Sequence, residues 1–152
     1  MANTQAMCSS FLGELMTATH NFTTGTGNTF KAALYLASAT VNASTTAYSS
    51  TGEVTGTNYT AGGVTVTNGA SPLSSNTSTT AGVGYWTPSA SISYTNVTLS
   101  TAFDAVLIYN SSSSNKAVSV HTFGSQTVTA GTFTLTMPSN TTSTALLRLA
   151  TT

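Results

Sequence analysis

Beyond Gly25 the chain is built from β-branched and aromatic residues that alternate with serine and threonine and are interrupted at short intervals by glycine and asparagine. A period of two places every second side chain on one face of a strand, and branching at Cβ disfavours the helical alternative. The interruptions supply turn chemistry. The pattern predicts strands at 30–37, 63–67, 91–95, 103–109, 117–123, 126–129, 132–137 and 145–149. The 103–109 strand is apolar on both faces, with Ala105, Leu107 and Tyr109 opposite Val106 and Ile108, and is expected to be central. Ser111 to Asn115 then connects it to the next strand as a hairpin. A turn is expected at Ala130-Gly131, and Pro138 is expected to stop the ladder.

Only one segment reads as helix. Met7, Cys8, Phe11, Leu12, Leu15 and Met16 recur at three- and four-residue spacings, so 5–18 is expected to be a short N-terminal α-helix with Thr4 at its cap. One helix followed by many short strands fits a mainly β fold, an antiparallel β-sandwich of jelly-roll-like or immunoglobulin-like type. At 152 residues the chain is expected to be a single domain, 1–152, with an N-terminal helical segment at 1–20 and a loop-rich middle at 40–89. Two Gly/Ser/Thr/Asn stretches in that middle, 55–63 and 67–80, are natural contact arms.

Charge is what this chain lacks. Three basic residues (Lys31, Lys116, Arg148) and three acids (Glu14, Glu53, Asp104) serve the whole length, whereas Ser and Thr fill 56 positions. A free protein ordinarily keeps itself dispersed with a charged surface, so a hydroxyl surface is suited to being packed against other protein, and a homo-oligomer is expected. Three cations cannot form a phosphate-neutralising stripe, which argues against nucleic acid and against an anionic membrane surface. No basic segment followed by an apolar run opens the chain, and no apolar run approaches the roughly 20 residues of a membrane span. The expectation is a protein made without export and not inserted in a membrane.

The chemistry-bearing residues are too few to constitute a catalytic pattern, so no enzymatic activity and no cofactor is expected. The acids are far apart in sequence, with Glu14 expected on the polar side of its helix. His20 and His121 lack an i, i+4 spacing for a metal, and no Gly-X-Ser-X-Gly elbow picks a nucleophile. Gly25-Thr-Gly27 and Gly62-Gly63 read as turns, since no Gly-Lys-Ser/Thr follows. Cys8 is the sole cysteine, expected as a small hydrophobe on the helix. The candidates for a contact surface are apolar: the helix stripe Phe11, Leu12, Leu15 and Met16, expected to be buried on the sheet or on a neighbouring subunit, and the aromatics Tyr59, Tyr85 and Trp86, which suit an interface or sugar stacking.

Three segments in order, Phe30-Lys-Ala-Ala-Leu-Tyr-Leu36, Glu53-Val-Thr-Gly-Thr-Asn-Tyr-Thr-Ala-Gly-Gly63, and Ala105-Val-Leu-Ile-Tyr-Asn110 with Asn115-Lys-Ala-Val118 and Gly131-Thr-Phe-Thr-Leu135, resemble small tailed-bacteriophage virion proteins. The likeness spans most of the chain outside the stretch 71–81. It implies a structural component of the virion, assembled in the host cytoplasm, with the major capsid protein or other virion proteins as partners. A capsid decoration or cement protein is the first expectation. A neck, tail or fibre-attachment protein and a carbohydrate-binding adhesin module are the alternatives.

Overall fold

The structure is a computed structural model that describes residues 2–75 and 82–151. Among the described residues, eight strands and one helix follow in the order β1 (Ala6–Met7), α1 (Ser9–Met16), β2 (Phe30–Leu36), β3 (Val64–Thr65), β4 (Leu73–Ser74), β5 (Val83–Trp86), β6 (Ile92–Asn110), β7 (Lys116–Leu135) and β8 (Leu147–Ala150). They form two antiparallel sheets, a five-stranded one ordered β1-β7-β6-β2-β3 and a three-stranded one ordered β4-β5-β8. The fold is mainly β and sandwich-like, as the alternation predicts.

β6 and β7 form the frame. The run Ala105–Asn110 is buried throughout and lies between β2 and β7, which explains why it is apolar on both faces. Both strands are far longer than the short strands expected. The segments 91–95 and 103–109 belong to one strand, and so do 117–123, 126–129 and 132–135. The residues that look like breaks in sequence are bulges. The β6–β7 register shifts between Tyr94 and Val97, between Val97 and Leu99, and on either side of Phe103, while Asn96 and Ala130 adopt positive φ (52° and 46°). Ala130-Gly131 is therefore not a turn: the strand passes through it, with Gly131 paired to Val97. The accumulated bends fold the ribbon over, so that Ile92 from one end of β6 and Ile108 from the other line the same cavity. β7 ends at Leu135, short of Pro138.

The N-terminus departs from the periodicity. Ala6 and Met7 pair with Val120 and Ser119 on β7, and the helix begins only at Ser9 and ends at Met16. Cys8, not Thr4, is the residue at the N-cap, and it makes no side-chain cap bond. Thr4 instead donates its N–H to the Val41 carbonyl. Sheet-edge hydrogen bonds satisfied by β7 outweigh a helical turn that would have no capping partner there. Cys8 is fully buried, and burial pushes its thiol up to about 11.

The loop-rich middle is pinned by polar bonds. Residues 52–54 continue the edge of β2 past β3: Leu36 donates its N–H to the Gly52 carbonyl and Val54 donates to Leu34. The turn at Gly62 and Gly63 needs positive φ (86° and 69°), and a Cβ on Gly63 would strike the Ala32 carbonyl. Glycine is required there by a close backbone approach. The second arm, 67–80, runs through β4, and residues 76–81 lie outside the described residues.

Candidate interaction surface

Four of the residues singled out by sequence meet at one place. Phe11 and Leu15 of α1, Tyr85 and Trp86 of β5, and Leu147 and Leu149 of β8 line a cleft of about 140 Å³ with Phe22, Pro72 and Gly84. Its floor is an aromatic chain. Phe11 sits edge-on to His20 (4.9 Å, 62°), Phe22 lies flat on Phe30 (4.2 Å, 10°), and Trp86 tilts against Phe22 at 4.8 Å. These rings join α1, β2 and the small sheet, which is why the helix docks where it does. Trp86 is 2% exposed, and its indole N–H is shared by the Asn68 side-chain oxygen and the Ala70 carbonyl, both at 3.1 Å. It organises the loop before β4 and presents no face for sugar stacking.

The rim is open. Leu12 is 45% exposed, Met16 85%, Leu73 51% and Leu149 43%. The helix stripe thus divides: Phe11 is buried in the chain's own core, Leu15 is half-buried, and Leu12 and Met16 face outward. With only eight residues, α1 turns one narrow face to the sheet, so residues flanking Phe11 cannot follow it inward. Sequence reasoning missed Leu73 and Leu149. Pro72-Leu73 is an apolar pair in a Ser/Thr-rich stretch, and that isolation was the available signal.

Tyr59 lies elsewhere. Its hydroxyl donates to Glu53 Oε1 (2.8 Å) and accepts the Leu34 N–H (3.0 Å). The Tyr48 hydroxyl donates to Glu53 Oε2 (2.6 Å) and the Gly62 N–H to Oε1 (2.8 Å), so the buried Glu53 carboxylate clasps the 48–63 loop. Burial first, and then the neighbouring Glu53 charge, push the Tyr48 and Tyr59 hydroxyls well above the ordinary phenol range.

A second polar cluster holds α1 to β7. Glu14, expected on the polar side of the helix, is only partly exposed: Oε1 takes the Lys116 ammonium at 2.6 Å, and Oε2 lies 2.7 Å from His20 Nε2. Burial alone would raise the Glu14 carboxyl, but these two partners outweigh it and hold it below its usual value. The His20 side chain is fully buried, and its other ring nitrogen faces the Asn110 amide at 3.2 Å. Both nitrogens are engaged within the protein, as befits an anchor. His121 lies 2.9 Å from the Ser119 hydroxyl, and desolvation pushes its imidazole down to about 4. Asp104 accepts the Asn3 amide at 2.6 Å. Among the described residues, no three His, Cys, Asp or Glu side chains gather as metal ligands.

Comparison with protein-family models, with curated proteins and with solved structures gives no match for this chain. The arrangement is an apolar cleft between the helix and the small sheet, with exposed apolar side chains on or next to its lining residues.

Proposed function

We propose that this chain is a structural protein of a tailed-bacteriophage virion, a decoration or cement protein that docks on the major capsid protein and works as a symmetric homo-oligomer. The carrying observation is that Leu12, Met16, Leu73 and Leu149, all exposed, lie in or next in sequence to the lining of an apolar cleft, on a chain with only six formally charged residues. Such a surface can be covered by another protein without stripping water from ions, the step that makes charged interfaces costly. Covering it contributes roughly 25 cal/mol for each Å² of apolar surface removed from water. A protein that clamps adjacent subunits stabilises the assembled shell by mass action.

Gold labelling of this chain on purified particles tests the reading. Many copies spread over the head are expected. A small cluster at one vertex would replace decoration by a neck or tail role, and particles without the chain would overturn the virion reading.

A further inference from the structure

Each sheet ends in two edge strands, and one edge of each, β1 of the large sheet and β8 of the small one, contributes residues to a single cleft. β8 pairs with β5 alone among the described residues, and β1 pairs with β7 alone. In antiparallel pairing, alternate residues bond to the neighbour and the others point away. The Thr151 N–H donates to the Gly82 carbonyl at 2.9 Å, which sets the phase: Leu149 and Leu147 serve β5, while Arg148 and Ala150 turn their N–H and C=O groups outward. On β1 the Cys8 N–H donates to Val118 at 2.9 Å, so Met7 is the residue that points outward. Gln5 and Met7 on one wall and Leu147 and Arg148 on the other bound a cleft of about 340 Å³, with Ser119 and His121 also lining it.

We infer that this cleft receives an extended acidic segment of a partner protein, added as a further strand on the outer edge of β8. Unpaired backbone donors and acceptors in a row are complementary to one thing, another extended backbone. The charge of the occupant follows from Arg148, an exposed cation that makes no ion pair among the described residues. A second copy of this chain carries no acid on its own β8 edge, which reads Leu-Arg-Leu-Ala. Glu14 is ion-paired to Lys116 and lies against His20, Glu53 is buried among Tyr48, Tyr59 and Gly62, and Asp104 sits on β6 within the other sheet. Pairing of two β8 edges would therefore leave Arg148 with no carboxylate on the added strand, and the occupant that supplies one is a different protein. This inference stands whether or not the partner belongs to a virion.

The test uses the full chain and a capped peptide of sequence Thr-Val-Glu-Val-Thr, with a twin carrying lysine for glutamate. The acidic peptide should slow hydrogen exchange at the Arg148 and Ala150 amides and bind about tenfold more tightly than its twin. Arg148→Glu, at an exposed site, should reverse that preference. Ala150→Pro removes an outward N–H and none of the bonds to β5, so it should abolish the protection while the melting temperature holds. Should the proline variant unfold, Arg148→Glu still decides. Absence of protection at millimolar peptide, equal binding of the twins, or protection at Leu73 on the β4 edge instead would each overturn the inference. So would self-association without peptide that shields Arg148 and Ala150, which would give the edge to a second copy.

Discussion

His121 shows how a single residue ties this fold to pH. Its imidazole is desolvated near Val106, Ile108 and Leu146, with the Ser119 hydroxyl as its hydrogen-bond partner. Folding moves it from an ordinary value near 6.5 to about 4. Between those values the unfolded chain binds a proton that the folded chain refuses, so the contribution of neutral His121 is full above about pH 6.5 and declines as pH falls toward 4. Thermal melts from pH 7.5 to pH 4 should show falling stability over that window, and His121→Asn should flatten the slope. An unchanged slope in the variant would show that the imidazole is solvated in the folded protein. Glu14 acts in a lower window. Its carboxyl is depressed, so its share is present above the ordinary carboxylate value and is lost only as pH drops through its folded one.

Elements of this fold separate by how much of their geometry is local. β2 and the inner halves of β6 and β7 were legible because Phe30–Leu36 and Ala105–Asn110 are apolar runs of strand length, and because Ser111–Asn115 is a plain connection. β1 and β4 were not, since two-residue strands carry no period and exist only through pairing with β7 and β5. β5 was hidden as well, in a Gly-rich stretch whose partners are distant in sequence. The outer halves of β6 and β7 were seen but cut into pieces, because Asn96 and Ala130-Gly131 look the same in sequence whether they make a turn or a bulge. The apolar cleft was half legible. Hydrophobicity marked Phe11, Leu12, Leu15, Met16, Tyr85 and Trp86, but which of them turn inward depends on a helix that starts later than its periodicity suggests. Phe11→Ala should therefore cost about 3–5 kcal/mol, as for a buried aromatic. Leu12→Ala, at a position 45% exposed, should stay within about 0.5 kcal/mol. Chemical denaturation of the two variants checks the contrast, and equal losses would mean that α1 packs with a different face.

For the whole molecule the governing fact is a surface of hydroxyls and exposed leucine and methionine with almost no charge. Association through such a surface has little to screen, so its affinity should change less than about tenfold between low and high salt. A steep salt dependence would mean that a concentrated field of charge on the partner, rather than the exposed apolar side chains, dominates the contact. The central claim is that the exposed apolar side chains in and beside the α1, β5 and β8 cleft are where this protein meets its assembly. Met16→Asp addresses it most directly, because at 85% exposure Met16 contributes little to the fold while a carboxylate there would have to be desolvated on docking. Occupancy of the variant on purified particles, measured against wild type at matched concentration, is expected to fall at least about tenfold with the melting temperature unchanged. Wild-type occupancy by Met16→Asp would contradict the account.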